Sequence, residues 1–368
     1  MDFSLFYFGN AAPRGASTAP ADPDGSPGGN AYDLVLEGAR FADRNGFTAV
    51  WTPERHFSPF GGLYPNPAVT GAAIAAVTER VAIRAGSVVG PLHHPLRIAE
   101  EWSVVDNLSG GRAGVAFASG WHAKDFALRP EAYADRRDVL TETVDRVRHL
   151  WRGGTLDLPD GNGVTGPVGI HPRPVRPELP VWITSSGDPA TFVKAGAAGA
   201  GVLTHLVGQD LASLTNSIAA YRKAYTERPN ADGGSGHVVL MLHTFLGEDE
   251  ERVREQVRAP MSAYLRSSLN LLLGSQTLGV SRPIDPSKLS ERHIDTMVTR
   301  AFDRYYEDGS LFGTLPRAAA TIERLRSAGV DEIACFIDFG LPDETVLDGL
   351  RHLAELRRKT ARTPEATS

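Results

Sequence analysis

A few short stretches of this 368-residue chain gather the side chains that can move protons or hold anions. Pro53-Glu54-Arg55-His56-Phe57 sets a carboxylate, a guanidinium and an imidazole in consecutive positions. Ser119-Gly120-Trp121-His122 brings a hydroxyl, an indole and a second imidazole close together. An imidazole titrates near neutrality, so His56 and His122 are the candidates for proton transfer, with Glu54 as the carboxylate beside the first. Ser185-Ser186-Gly187 runs into Asp188-Pro189, where a helix N-terminus with free N–H groups would favour a phosphate. Arg136 and Arg137 could bring a cation to the same anion. The chain lacks paired carboxylates for glycoside hydrolysis and a G-x-S-x-G serine elbow. His93 and His94 are adjacent and face different ways, so no spaced metal-ligand pair is expected, and His94 before Pro95 reads as structural. Such a set suits a site that holds a cofactor which performs the chemistry itself.

These residues need a scaffold that brings strand ends together. Val81 to Gly90 is an apolar run that reads as a buried strand. A helix follows with Ile98, Trp102 and Val105 on one face, stopped by Gly110-Gly111, and then a strand from Ala113 to Ser119. That strand–helix–strand unit builds parallel sheets. The pattern recurs through the chain: strands at 2–8, 47–52, 180–186, 201–207, 237–246 and 330–339 alternate with helical segments. Eight strands alternating with helices predict an α/β fold, a (β/α)8 TIM barrel with insertions, as one domain over 1–368. No G-x-G-x-x-G follows the first strand, which counts against a doubly wound sheet. Residues 10–30 read as a mobile loop, 153–179 as an insertion with a hairpin, 270–313 as an excursion over the barrel mouth that fits no simple repeat, and 360–368 as a disordered tail. The barrel gathers strand C-terminal ends on one rim, and with them Glu54 and His56, Gly86 to His94, Ser119 to His122, Ser185 to Gly187, His205 and His243.

Composition narrows the function classes. The net charge is −6 with no basic cluster, so nucleic acid and acidic membranes are poor partners. One cysteine, Cys335, allows neither a disulfide framework nor a cysteine-ligated metal, and its apolar neighbours mark it as a buried thiol. No apolar run spans a bilayer and the N-terminus lacks a basic signal segment, so a cytoplasmic location is expected.

Five motifs carry a resemblance: Thr52 to Phe57 (TPERHF), His94 to Arg97 (HPLR), Asp106 to Arg112 (DNLSGGR), Ser119 to Phe126 (SGWHAKDF), and Arg137. Together they resemble the bacterial luciferase-like flavin monooxygenases, in the branch found in polyketide and nonribosomal peptide biosynthesis. The likeness covers nearly the whole chain after Asn30. It implies a (β/α)8 barrel and reduced FMN supplied by a flavin reductase. It also implies molecular oxygen added to give a flavin peroxide, and a natural-product intermediate as substrate, with an acyl or aminoacyl chain on a carrier protein as one form. Relatives commonly pair into dimers, so a homodimer is expected.

Carried over by position, the resemblance implies a cis bond between Gly86 and Ser87 on the flavin face. Gly86, Ser87, Val88 and Ser119 would contact the flavin, with Arg137, Ser185, Ser186 and Gly187 on its phosphate. Glu54, His56 and His122 would be catalytic. Arg55, Trp121, His205 and His243 would shape the substrate pocket. Two departures stand out. Arg55 replaces the histidine that light-emitting relatives use as base, and Ala118-Ser119 replaces their cysteine and arginine. Bioluminescence is therefore not implied. The rival readings are a deazaflavin-dependent oxidoreductase of the same fold and a barrel that binds flavin without catalysis.

Overall fold

The computed structural model describes residues 1–10, 30–229, 233–273 and 290–360. Most of the expected loop 10–30 and of the tail 360–368 lies outside them. In chain order the elements are β1 (Asp2–Phe6), α1 (Asp33–Arg44), β2 (Ala49–Thr52), α2 (Pro67–Ala75), β3 (Ala82–Val89), α3 (Pro95–Ser109), β4 (Ala113–Ala118), α4 (Arg136–Trp151), β5 (Leu156–Pro159), β6 (Thr165–Val168) and β7 (Val181–Ser185). The second half continues with α5 (Pro189–Ala197), β8 (Gly201–His205), α6 (Leu211–Thr226), β9 (Val238–Leu246), α7 (Glu250–Leu273), α8 (Glu291–Arg304), β10 (Leu311–Gly313), α9 (Leu315–Ser327), β11 (Glu332–Phe336) and α10 (Asp343–Thr360). The strand–helix repeats are those of the (β/α)8 barrel read from the sequence. The chain divides into two compact units, residues 11–184 and residues 1–10 with 185–368.

In the unit 11–184, β2, β3, β4 and β7 lie side by side and parallel. Their local causes are plain in the sequence. The α1 helix buries Leu34, Val35, Gly38, Ala39 and Ala42 along one stripe. Asn66 caps α2 by accepting the N–H groups of Ala68 and Val69, with Pro67 at the first helical position. Gly110 ends α3 at φ +66, a conformation glycine adopts without cost. Trp51 and Trp182 meet edge to face at 5.2 Å, and the Arg84 guanidinium stacks on both rings. Between β4 and β7 the insertion 153–179 forms the antiparallel hairpin β5–β6.

In the other unit, β1 lies beside β11, β11 beside β9, and β9 beside β8, all parallel. Cys335 is fully buried in β11, and burial pushes its thiol up to about 12. The stretch 270–313 corrects the sequence reading where it is described. It holds the 14-residue helix α8, a π-helical turn at Tyr305–Gly309, and β10, which pairs with the end of β9. Ser290 caps α8 through His293 N, and Val298 and Phe302 are buried on one face. Arg266 of α7 pairs with Glu291 and Asp295 of α8, and Arg254 with Asp303.

Asp43, at the end of α1, fastens that helix to the start of β3. Its Oδ1 accepts the N–H groups of Glu79, Arg80 and Val81 at 3.2, 2.7 and 2.8 Å. Burial would raise this carboxyl, but the three N–H groups and Arg80 outweigh it and hold it below the usual aspartate value. Asp43→Ala should cost about 2 kcal/mol at pH 7 by urea unfolding, because N–H groups lose their acceptor. A carboxyl with a depressed folded pKa stabilises above its unfolded value and loses that contribution as pH falls. The deficit of the variant should therefore be full above about pH 5 and shrink in acid. Equal stability at pH 7 would refute the role of Asp43.

Candidate active site

The segment after β2 turns a buried carboxylate against the end of β3. Glu54 Oε1 accepts Nε2–H from His56 at 2.8 Å and from His93 at 2.5 Å. Its Oε2 accepts the Val89 N–H at 2.7 Å. An ionised carboxylate can only accept, so both imidazoles carry a proton on Nε2. Burial pushes Glu54 up, but the bonds from His56 and His93 outweigh it and leave the carboxyl below its usual value. Burial pushes His93 down, and the bond and charge of Glu54 reverse that, so His93 holds its proton above the usual histidine value.

His93 was set aside in the sequence reading. The structure separates it from its neighbour: His94 caps α3, its Nδ1 accepting Leu96 N–H, while His93 turns to Glu54. Glu54, His56 and His93 each offer a ligand atom, and these lie within 4.8 Å of one another, a set of metal-capable groups that the sequence reading did not anticipate. The 2.8 Å between His56 Nε2 and Glu54 Oε1 is that of a direct hydrogen bond, and the His93 contact is shorter than the ordinary range.

Arg55 faces a different partner. Its Nη1 donates to Asp125 Oδ2 at 2.6 Å in a buried ion pair, and its guanidinium lies over the Trp121 ring at 5.1 Å. Its Nη2 is buried without a hydrogen-bond partner. Asp125 Oδ1 also accepts His122 Nδ1–H at 3.2 Å. Burial, then the charge of Arg55, lowers His122 below its usual value, so it is mostly neutral near pH 7. Arg55, Trp121 and His122 thus form one cluster, completed by Asp125.

At the end of β3 the bond between Gly86 and Ser87 is cis, at the position the resemblance implied. The pairing with β4 slips there: Gly86 faces Ala116 and Val88 faces Phe117. Ser87 Oγ meets Thr184 Oγ1 at 2.5 Å. Ser119 is half-buried after β4. Gly120 follows at φ +77, where a Cβ would come within 2.9 Å of Phe126 and Val89. Glycine at that point lets the chain turn to show Trp121. Of the two arginines opening α4, Arg136 is engaged with Gly120 O and the Tyr133 ring, whereas Arg137 is exposed. Phe57 holds φ +53, the one non-glycine positive φ among the described residues, and its half-exposed ring lies 5.5 Å from that of His56. Such a backbone costs about 1–2 kcal/mol and is held where its surroundings fix it.

In the second unit, Asp188 caps α5 by accepting Ala190 N–H at 3.0 Å, with Pro189 at the first helical position, as read from the sequence. Ser185 Oγ accepts Gly187 N–H at a long 3.3 Å, and Ser186 is exposed. Gly187 has φ +102, and the Gln209 side chain lies where a Cβ would point. His205 accepts Val207 N–H through Nδ1, and burial lowers it to about 4. His243 is enclosed by Tyr264, Tyr305, Phe336 and Phe339, and burial, then His205, lowers it to about 3. Both stay neutral near pH 7.

The description "Luciferase-like monooxygenase" matches residues 1–332. The oxygenase component of the flavin-dependent trigonelline monooxygenase of Acinetobacter baylyi is 28% identical over 229 residues, 60% of this chain. The chain spans 61% of that relative's length. Monooxygenase RslO1 of Streptomyces bottropensis superposes with a TM-score of 0.76 at 23% identity, covering 98% of this chain and all of that one. The FMN complex of the oxygenating constituent of 3,6-diketocamphane monooxygenase of Pseudomonas putida gives 0.71 at 15%, covering 99% of each chain. An F420-dependent secondary alcohol dehydrogenase gives 0.68 at 18%, covering 96% of this chain and 97% of that one. These three structural likenesses show the fold.

Asp125→Asn keeps the shape of its side chain and removes the counter-charge of a buried guanidinium. It should cost about 3–5 kcal/mol by urea unfolding, the penalty of breaking a buried pair from one side. A loss below about 1 kcal/mol would mean that Arg55 finds another anion.

Proposed function

The chain belongs to the luciferase-like monooxygenase family, and we propose that within it the protein is the FMN-dependent oxygenase component of a two-component system. Its substrate is an intermediate of natural-product biosynthesis. The observation that carries this reading is the saturated Glu54 carboxylate tied to the end of β3 through Val89. Glu54 is a buried anion tied to the end of β3 through the Val89 amide, and its charge is already answered by that amide and two imidazoles. A flat, electron-rich ring can rest on that uncharged strand end without meeting a free carboxylate.

Gly86, Ser87, Val88 and Ser119 hold the ring in this reading. Arg137, Ser185, Ser186 and Gly187 hold the phosphate. Asp188 already places a carboxylate at the N-terminus of α5, and Arg137 is exposed at the start of α4. Reduced FMN, when bound, supplies the two electrons with which one atom of O2 enters the substrate and the other leaves as water. His56, fixed by Glu54, takes or returns the proton at its Nδ1. His122, fixed by Asp125, is a second neutral imidazole. Arg55 and Trp121 contact the substrate, while His205 and His243 stay neutral, His243 enclosed by Tyr264, Tyr305, Phe336 and Phe339. A guanidinium does not release its proton near neutrality, so Arg55 binds rather than acts as base.

A separate flavin reductase supplies the reduced cofactor, as the trigonelline enzyme's designation as an oxygenase component suggests by likeness. A carrier-bound acyl or aminoacyl substrate, a homodimer and a cytoplasmic location belong to the same reading. Among the described residues no helix is long and apolar enough to cross a membrane. The F420-dependent neighbour supports a second reading, hydride transfer with a deazaflavin.

Anaerobic titration separates the two. The protein should bind reduced FMN, and Arg137→Ala should weaken that binding about tenfold or more, the worth of one charged hydrogen bond, while leaving reduced riboflavin unchanged. An equal loss for riboflavin would remove Arg137 from the phosphate. Tight binding of reduced F420 with none of reduced FMN would overturn the cofactor assignment.

A further inference from the structure

Two imidazoles share one carboxylate oxygen, and they are not equivalent. His93 makes the shorter contact with Glu54 Oε1, 2.5 Å against 2.8 Å for His56. Its side chain is 30% exposed, that of His56 12% and that of Glu54 1%. A second carboxylate lies on the His93 side: Glu101 of α3 lines, with Glu54, Val88, His93 and Trp102, a cavity of about 20 Å³. That is room for one water. One buried anion can hold one positive charge nearby at low cost, because a second would be left uncompensated in the interior. The charge settles where hydration and negative neighbours are greatest, and both are greatest at His93.

We propose that His93 is the counterion of Glu54, its imidazolium neutralising the buried carboxylate and leaving His56 as the neutral ring whose Nδ1 accepts the reaction's proton. His93 is then a positioning residue that acts through Glu54. The charged groups around the pair fit this division. His93 faces Glu54, Glu101 and, through its backbone oxygen, Arg129. Arg97 is engaged with Glu101 at 2.8 Å. His56 faces Glu54 and the Phe57 ring, and the neighbouring Arg55 is spent on Asp125. Val89 contributes an amide and no charge. The raised proton affinity of His93 agrees with the assignment.

The role of His56 in turnover rests on the reading above; the charge assignment does not, and it is tested on the protein without cofactor. Histidine-selective 15N NMR at pH 7 should show both ring nitrogens of His93 protonated and only Nε2 of His56. In His93→Gln the full charge of Glu54 falls on His56, so the pH at which His56 gains its second proton should rise by about one unit, a tenfold change. His93→Lys, which keeps a cation at that place, should return it toward the wild-type value. The acid limb of the pH–rate profile should move with it. Three results overturn the proposal: His56 as the doubly protonated ring in the wild type, a His56 titration that His93→Gln leaves in place, or one equivalent of a divalent ion held by the wild type and lost in His93→Gln. Should His93→Gln fail to fold, the wild-type spectrum alone decides. Should the charge assignment hold while reduced FMN does not bind, only the functional reading fails.

Discussion

A carboxylate removed from water must be answered, and the unit 11–184 is arranged around answering Glu54. Its two oxygens draw in three donors from three places: His56 from its own segment, Val89 from the end of β3, and His93 from the turn before α3. Each bond is ordinary alone. Together they oblige the segment after β2 to return to the end of β3, and they hold the chain in the turn that leads into α3. Removing one partner would leave the rest under-compensated, and burial makes that more costly than at a surface. A second anchor of the same kind, Arg55 on Asp125, fixes the opposite side of the segment. Residues 54 and 55 thus face two buried partners, and His56 is set between constraint and solvent.

Much of this scaffold was legible in the sequence because it rests on local rules. Apolar runs ending in glycine gave strands, and stripes such as Leu34, Gly38 and Ala42 gave helices. Asp188-Pro189 announced a helix start that the structure bears out. The hairpin in 153–179 was also foreseen. What escaped was long-range or masked by its surroundings. The turn of α8 that carries Val298 and Phe302 has helical spacing, yet it lies in a stretch whose first part has no repeat. His93 escaped because its partner lies 39 residues away and its neighbour His94 offered a sufficient local role as a cap. The clue, in retrospect, was a paired histidine just after a strand end, where only one of the two is needed to start the helix.

The departures from light-emitting relatives read differently once the contacts are known. Arg55, where the resemblance implies a basic histidine in those relatives, is here locked to Asp125 beneath Trp121. Its unpartnered Nη2 is a donor held in a buried place. At that position the side chain serves charge and shape, and the imidazoles of His56 and His122 both follow it in sequence.

Cys335 has a consequence of another kind. The only thiol of the chain lies in β11, between β1 and β9, shut from solvent and held protonated. An alkylating reagent reaches it only when those strands part, since the thiolate, not the thiol, reacts. The rate at which the native chain takes up such a reagent therefore counts the openings of that sheet. The molecule carries its own stopwatch for local unfolding, with no probe to introduce and no competing sulfhydryl to remove.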